Sequence, residues 1–293
     1  MNHKAGFVNI VGNPNVGKST LMNRLVGEKI SIITSKSQTT RHRIKGIVNT
    51  DDYQIVFSDT PGVIKPSYKM QEYMLEFSKS AIGDADVIIY VTDVVENNKK
   101  NEDFIEKIKK SEIPVLLVIN KIDLSNQEKL EELYSQWHEL LPNAEIFPIS
   151  AAENFNVDNL YQRILELLPE GEPFFEKDAF TDMPARFFVN EIIREKILTN
   201  YEREVPYSVE VEVEEFKEEK QRVYIRALIY VERDSQKGIL IGHKGEALKK
   251  VGTEARLDIE RFFDKRIFLE LLVKVQKDWR HKEADLKKFG YIK

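Results

Sequence analysis

The feature that most constrains the fold of this chain is the sequence GNPNVGKS at residues 12–19, which matches the phosphate-binding pattern G-x-x-x-x-G-K-[ST]. An apolar run at residues 7–11 predicts a buried strand before it, and residues 20–26 have helical spacing after it. In this setting the glycines let backbone N–H groups surround a phosphate, and the helix N-terminus adds its positive dipole end. We expect Lys18 to reach the β- and γ-phosphate oxygens and Ser19 to ligate Mg²⁺. The residues predicted to hold a nucleotide here are Gly12, Asn13, Pro14, Asn15, Val16, Gly17, Lys18, Ser19 and Thr20.

Strand-like and helix-like runs alternate over about the first 170 residues, a pattern typical of a mostly parallel sheet with helices on both faces. Two runs that flank Asp51 and Asp52 predict a hairpin, and continuous apolar runs farther along predict buried parallel strands. The predicted strands are residues 7–11, 46–50, 53–59, 87–91, 115–119 and 146–149, and the predicted helices are residues 20–26, 102–110, 129–141 and 157–168. The fold class predicted for this part is therefore α/β.

The motif Asp-Thr-Pro-Gly follows one of these strands, at the sheet edge where an open α/β fold places its ligand. Taken alone, such a motif is most often an ordinary turn. After a strand, Asp59 is expected to hold Mg²⁺ through water, and the Gly62 N–H is expected to meet the γ-phosphate. The residues assigned to this part of the site are Asp59, Thr60, Pro61 and Gly62.

Two motifs after later strands predict recognition of a guanine base. The first is Asn-Lys-Ile-Asp, in which the Asp123 carboxylate can accept hydrogen bonds from guanine N1–H and the exocyclic amino group, a donor pair that adenine lacks. The stem of Lys121 is expected to pack on the base. The second is Ser-Ala-Ala, which can present a backbone N–H to guanine O6. The residues assigned to the base are Asn120, Lys121, Asp123, Ser150, Ala151 and Ala152.

Four such motifs in this order resemble those of translation-associated GTPases of the TrmE-Era-EngA group. The resemblance implies a switch loop at residues 27–43, with QTTRH at 38–42 as its signature. It also implies that a threonine hydroxyl completes the Mg²⁺ shell when a γ-phosphate is present; Thr40 is the favoured candidate and Thr39 the alternative. The implied ligands are GTP, GDP and Mg²⁺, and the residues implied to act in hydrolysis are Lys18, Thr40 and Gly62.

Val63 stands where Ras-like enzymes carry the glutamine that orients the attacking water. Valine cannot orient water, so unaided hydrolysis is expected to be slow. Related GTPases use an asparagine at the position of Asn15 to help coordinate K⁺, and the resemblance implies the same role here. The alternative is that Asn15 only forms hydrogen bonds within its loop.

The carboxy-terminal part of the chain has a different pattern. Residues 171–184 mix turn formers and charges and predict a linker between a domain at residues 1–170 and one at 185–293. Beyond the linker, residues 186–200 have helical spacing, and apolar residues alternate at 209–213, 223–231 and 267–275. Between the last two strands lies a Gly-x-x-Gly turn followed by a long helical pattern, which lets a nucleic-acid backbone approach closely. The residues predicted to contact RNA are Ile241, Gly242, His243, Lys244, Gly245 and Lys249.

This order of elements resembles a type II KH domain, an α+β fold that binds RNA. A P-loop GTPase domain followed by a type II KH domain resembles the Era family of bacterial ribosome-assembly GTPases. The resemblance implies binding near the 3′ end of small-subunit ribosomal RNA on the 30S subunit, coupled to GTP occupancy, and a weak peripheral membrane contact in some members. The expected state is a monomer. An alternative from the sequence is a signalling GTPase whose carboxy-terminal domain binds a protein or a membrane surface.

Composition agrees with two domains and narrows the remaining classes. The 293 residues include no cysteine, which excludes disulfides and thiolate metal sites. No apolar run reaches the length of a membrane span, and the sequence starts without a signal-peptide pattern, so we expect a cytoplasmic protein. The family resemblance implies that the protein lies in part at the inner face of the cell membrane, as a peripheral protein. The net charge of −5 is uneven, because residues 235–293 carry 15 Lys and Arg against 9 Asp and Glu. A basic end on an acidic chain favours a local contact with a polyanion; the alternative is a solvated helix face rich in lysine.

Overall fold

The computed structural model describes residues 3–96, 101–220 and 222–292. The chain divides into two compact units, one formed by Met1–Ser67 with Gln71–Asp182 and the other by Tyr68–Met70 with Met183–Lys293. Both have the fold class that the sequence predicts: the first is an α/β unit and the second an α+β unit.

The amino-terminal unit is built on a six-stranded sheet in the order β2-β3-β1-β4-β5-β6, in which only the β2–β3 pair is antiparallel. Its strands are β1 (Lys4–Gly12), β2 (Ile44–Asn49), β3 (Tyr53–Asp59), β4 (Val87–Asp93), β5 (Val115–Asn120) and β6 (Glu145–Pro148). Its helices are α1 (Lys18–Val26), α2 (Lys69–Gly83), α3 (Glu102–Lys109), α4 (Gln127–Leu140) and α5 (Val157–Leu167). Helix α2 was not predicted, because buried Gln71 and Ser78 interrupt its apolar face.

Helices cover both faces of this sheet, as the continuous apolar strands predict. On one face, Val8 and Ile10 of β1 belong to a buried cluster with residues of α1 and α5. On the other face, Ile88 and Tyr90 of β4 belong to a cluster with residues of α2, α3 and α4. The strand ends that precede the sequence motifs therefore lie at one edge of a sheet that is buried on both sides.

The segment predicted as a linker is largely part of the amino-terminal unit. The buried side chain of Gln54 accepts hydrogen bonds from the N–H groups of Phe174 and Phe175 at 2.7 and 3.0 Å and donates to the Phe175 carbonyl at 2.8 Å. On the edge strand β2, the Ile47 N–H donates to the Phe180 carbonyl at 2.9 Å. Side-chain amides form hydrogen bonds with backbone groups of this segment, so the segment needs no regular secondary structure to satisfy them. Its sequence therefore shows no apolar periodicity.

The carboxy-terminal unit is a three-stranded sheet, β7-β8-β9, with helices against one face. Strands β7 and β8 are antiparallel, and β8 and β9 are parallel. The elements are α6 (Ala185–Asn200), α7 (Val205–Ser208), β7 (Glu210–Glu218), β8 (Arg222–Val231), α8 (Asp234–Ile241), α9 (Glu246–Phe263), β9 (Arg266–Val275) and α10 (Glu283–Lys288). The predicted order of helix, strand, strand, helix, Gly-x-x-Gly, helix and strand is found; the short α7 and α10 were not predicted.

Candidate nucleotide site and nucleic-acid interface

A cleft of about 380 Å³ opens at the carboxyl edge of the six-stranded sheet. Its walls are residues of the phosphate-binding loop, residues 32–35 and 38–40 of the predicted switch loop, Gly62 and Lys121. The structure therefore brings three of the sequence motifs together, and it adds Ile32, Ile33, Thr34 and Ser35, which the motif analysis did not single out.

Lys18 lies buried beneath the phosphate-binding loop and donates a hydrogen bond to the Asn13 carbonyl at 2.8 Å. Burial lowers the pKa of its ammonium group to about 8, although the nearby carboxylates of Asp59 and Glu96 act in the opposite direction. The group is therefore mostly charged at neutral pH, in surroundings that favour an added anion.

The loop conformation depends on a close approach between Gly17 and Asn120. Gly17 has a φ of 95°, a left-handed conformation that favours glycine, immediately before α1 begins at Lys18. A Cβ at Gly17 would lie 2.2 Å from the Asn120 amide nitrogen. That amide donates to the Val16 carbonyl at 2.8 Å, and its oxygen accepts from the Ala151 N–H at 3.0 Å. Asn120 thus joins the phosphate loop to the loop predicted for the base.

Three side-chain oxygens converge where Mg²⁺ is predicted. The Ser19 hydroxyl donates to Asp59 Oδ2 at 2.7 Å, and the Thr40 hydroxyl lies 3.0 Å from Ser19 Oγ and 3.1 Å from Asp59 Oδ2. Asp59 Oδ1 is buried without a hydrogen-bond partner among the described residues. Burial raises the pKa of this carboxyl, against the effects of the Lys18 charge and of the hydrogen bonds from Ser19 and Thr40. Hydroxyl and carboxylate oxygens suit a hard cation such as Mg²⁺, so the donor set fits the predicted metal.

Thr39, the alternative to Thr40, is directed elsewhere. Its hydroxyl lies 2.6 Å from Thr34 Oγ1 and donates to the Lys36 carbonyl at 2.6 Å. The geometry therefore favours Thr40 as the switch threonine, which is also the candidate that the sequence analysis favoured over Thr39.

The backbone at Gly62 lies directly against the phosphate loop, since a Cβ there would lie 2.7 Å from Pro14. The next residue, Val63, donates its N–H to the Gly12 carbonyl at 3.1 Å, and its side chain is buried in the cluster that includes Val11 and Phe104. Thr60 and Pro61 form supporting contacts: the Thr60 hydroxyl donates to Ile10 O at 2.8 Å, and Pro61 O accepts from Ser78 Oγ at 2.7 Å. A buried valine cannot orient a water molecule at the phosphates.

On the side predicted for the base, Lys121 donates to the Asn15 carbonyl at 2.5 Å and pairs with Asp93 at 2.6 Å. Asp93 was not predicted, although like Asp59 it ends a buried strand. Asp123 lies exposed in a short helical turn at Ile122–Leu124, directly after Lys121, which has a φ of 63°. An exposed carboxylate in this position can accept hydrogen bonds from a base.

In the loop at residues 150–152, two of the three backbone N–H groups already donate hydrogen bonds within the protein. The Ser150 N–H donates to the Phe155 carbonyl at 3.2 Å, and the Ala151 N–H donates to Asn120. Of the three residues predicted to meet guanine O6, this leaves the N–H of Ala152. Arg24, which the sequence did not single out, fixes the loop by donating to the carbonyls of Ala151 and Ala152 at 3.1 and 2.9 Å.

In the carboxy-terminal unit, the Gly-x-x-Gly turn joins α8 to α9 as predicted. Gly242 and Gly245 have φ values of 71° and 81°, and Lys244 between them has 51°. His243, Lys244 and, one turn into α9, Lys249 are exposed, whereas Ile241 at the end of α8 is half-buried. The turn therefore presents two lysines beside the N-terminus of an 18-residue helix, which favours phosphate.

The reason for glycine at position 242 differs from the one that the sequence suggested. A Cβ at Gly242 would lie 2.6 Å from the Ala247 Cβ, so the turn itself requires glycine in addition to any need for room for RNA. At Gly245 no atom lies within 4 Å of an added Cβ, and only the positive φ favours glycine there.

Among residues 3–96, 101–220 and 222–292, no group of three or more His, Cys, Asp or Glu side chains could hold a metal ion. Within the same residues, every helix is too short or too polar to cross a membrane.

Comparisons with known proteins match both units. A family model described as "50S ribosome-binding GTPase" matches residues 7–121, and a KH domain model matches residues 204–280. GTPase Era of Staphylococcus haemolyticus is 46% identical over 292 residues, which covers 99% of this chain and 98% of that protein. A crystal structure of Era in complex with MgGDPNP and nucleotides 1506–1542 of 16S ribosomal RNA is 41% identical, covers 99% of this chain and 100% of its own, and has a TM-score of 0.95. A crystal structure of an Aquifex aeolicus Era variant bound to GDP and AlF₄⁻ has the same identity and coverage and a TM-score of 0.94.

The adjacent threonines provide a matched test of the metal site. Thr40→Val keeps the side-chain size but removes the hydroxyl beside Ser19 and Asp59, so we expect about tenfold weaker binding of a Mg²⁺–GTP analogue. GDP affinity should be nearly unchanged, because the switch threonine acts only with a γ-phosphate. Thr39→Val should change neither affinity appreciably. Competition against a fluorescent nucleotide, with and without EDTA, measures both affinities; a larger loss for Thr39→Val than for Thr40→Val would contradict the assignment.

Proposed function

Because this chain belongs to the GTPase Era family, we propose that it is a GTP-hydrolysing, RNA-binding switch that assists assembly of the small ribosomal subunit. Its RNA site would be near the 3′ end of small-subunit ribosomal RNA, as in the related Era complex with nucleotides 1506–1542 of 16S ribosomal RNA. The observation that carries this function is the convergence of Ser19, Thr40 and Asp59 beside buried Lys18, in one chain with an exposed Gly-x-x-Gly turn.

The chain is a GTPase that converts GTP to GDP and phosphate with Mg²⁺. Ser19 and Thr40 would ligate the metal through their hydroxyls, and Asp59 through water; the ion supplies positive charge between the β- and γ-phosphates. Lys18 would neutralise charge on the β- and γ-phosphate oxygens, and the Gly62 N–H would donate to the γ-phosphate. Loss of that phosphate would remove its hydrogen bond from the Gly62 N–H and the coordination of the metal by Thr40, which would favour release of the switch loop.

Guanine would be recognised on the other side of the loop. Asp123 would accept hydrogen bonds from guanine N1–H and the amino group, and Ala152 would donate to O6. Lys121, held by Asp93 and Asn15, would lie along the base. An adenine ring lacks the donor pair that Asp123 requires, so ATP is a poor competitor under this assignment.

Hydrolysis without a partner would be slow, since Val63 is buried in the core and no glutamine takes its place. Hydrolysis is helped by a positive charge beside the phosphates, and we assign this charge to K⁺ held in part by Asn15. The Asn15 side-chain N–H donates to the Ser35 carbonyl at 3.1 Å, and its amide oxygen makes no hydrogen bond with a described residue. A cation beside that oxygen would stabilise the charge that develops between the β- and γ-phosphates, as an arginine finger does elsewhere.

Replacement of K⁺ by Na⁺ at equal ionic strength tests this assignment. Steady-state hydrolysis at saturating GTP should be several-fold faster in K⁺, and Asn15→Ala should remove most of the difference while GDP binding persists. Lys18→Ala, by contrast, should impair binding and hydrolysis together. Equal rates of hydrolysis by the wild-type protein in the two salts would reject the role of K⁺. The ribosome would then be the expected source of the group that completes the hydrolytic site.

For RNA, the exposed turn around Lys244 and the first residues of α9 would contact the phosphate backbone. We propose that the protein acts in the cytoplasm on the 30S subunit, and that its active form is a monomer. We assign the basic carboxy-terminal surface to RNA rather than to a membrane. The RNA assignment depends on the turn residues and not on net charge alone, which makes it testable by substitution.

Lys244→Ala should weaken binding to an RNA fragment from the 3′ end of the small-subunit RNA and flatten its salt dependence by about one unit of slope. Lys217→Ala is the matched control, because Lys217 is an exposed lysine of the same unit that pairs with Glu215 on β7. GTP binding should be unchanged in both variants. Substitution of Gly242 is a poor test, since the clash with Ala247 would distort the turn. Identical affinities and salt slopes for the wild type and Lys244→Ala would remove the turn from the RNA site.

A further inference from the structure

Asn101 is an N-cap asparagine whose side chain does not cap its helix. It precedes α3 in a left-handed conformation, with φ 59° and ψ 43°, and makes no side-chain cap hydrogen bond. Asparagine is favoured at N-caps because its side chain satisfies the first helical N–H groups. The Asn101 side chain instead forms hydrogen bonds outside its own helix, and the uncommon left-handed backbone conformation of Asn101 allows this placement.

The Asn101 amide instead joins two segments of the nucleotide site. It donates to the Val63 carbonyl at 2.9 Å and to the side-chain oxygen of Asn13. Val63 follows Gly62, and its own N–H donates to the Gly12 carbonyl at 3.1 Å. Hydrogen bonds on both sides of Val63 therefore hold the backbone after Gly62 against the phosphate loop.

Asn13 is held from a second direction by Glu96, which accepts a hydrogen bond from the Asn13 side chain and another from the Thr92 hydroxyl at 3.1 Å. The Asn13 side chain is 4% exposed, and its backbone carbonyl accepts the hydrogen bond from Lys18. Because Glu96 holds Asn13 independently of Asn101, the contact of Lys18 with the Asn13 carbonyl does not require the Asn101 amide.

We propose that Asn101 is a positioning residue for GTP hydrolysis, which fixes the Gly62–Val63 backbone against the phosphate loop so that the Gly62 N–H meets the γ-phosphate. Asn101 touches neither nucleotide nor metal in this role; it acts through Val63 and Asn13. The inference rests on the proposed role of Gly62. It predicts that loss of the Asn101 amide affects states that contain a γ-phosphate and leaves the GDP state intact.

Asn101→Gly is the informative variant, because glycine adopts the left-handed conformation without strain and removes only the side chain. We expect kcat for GTP to fall about tenfold and the affinity for a GTP analogue to fall by a similar factor, as loss of a well-placed hydrogen bond predicts. The affinity for GDP should stay at the wild-type value. Asn101→Asp keeps the size and the capping ability of the side chain but cannot donate to the Val63 carbonyl, so its loss should be at least as large.

Asn126→Gly is the matched control for a structural role. Asn126 is the N-cap of α4, and its side chain accepts from the Lys129 N–H at 3.0 Å, so this substitution removes a cap within the same unit. It should lower thermal stability without changing the ratio of GTP-analogue to GDP affinity. Wild-type kcat in Asn101→Asp, or equal losses of GDP and GTP-analogue affinity in Asn101→Gly, would overturn the positioning role. Failure of the wild-type protein to hydrolyse GTP would instead overturn the proposed function.

Discussion

The nucleotide site depends on a buried ammonium group and a buried carboxylate that share one low-dielectric environment. Burial lowers the pKa of Lys18 and raises that of Asp59, so each charge is costly where it lies. Both costs would fall on binding of a polyphosphate and a divalent cation, if the phosphates face Lys18 and the cation faces Asp59 as proposed. The Lys18 and Asp59 side chains thus form a pattern complementary to Mg²⁺–GTP, and the surrounding loops hold that pattern in place.

The sheet makes this arrangement possible. Parallel pairing places Ile10 beside Asp59 and Asp93 beside Asn120, so the polar residues at the strand ends share one edge. A shift of one residue in any of these pairs would turn its side chain to the opposite face of the sheet. Because both faces are packed with helices, the register is strongly constrained, and with it the distances among Ser19, Thr40 and Asp59.

Much of this arrangement could be predicted from the sequence, because the phosphate loop and the strand-end motifs are local patterns with a known structural context. The sequence analysis favoured Thr40 but kept Thr39 as an alternative, because the two hydroxyls are adjacent and only the fold shows which one lies beside Asp59. The sequence also did not predict contacts between residues that are far apart in the chain. Gln54 binds the segment at residues 174–175 and Asn101 binds Val63 through a single side-chain amide in each case. Neither amide lies in a recognisable sequence motif. The requirement for glycine at position 242 was predicted, but its packing against Ala247 emerged only from the turn geometry.

We propose that one chain uses two recognition surfaces, the cleft of the amino-terminal unit for GTP and the Gly-x-x-Gly turn of the carboxy-terminal unit for RNA. Crosslinking of the full-length protein to cellular RNA, followed by sequencing in the presence of a GTP analogue or GDP, tests that claim most directly. We expect crosslinks concentrated near the 3′ end of small-subunit ribosomal RNA, and more of them with the GTP analogue. Crosslinks spread evenly over unrelated RNAs, with the same yield in both nucleotides, would contradict this expectation.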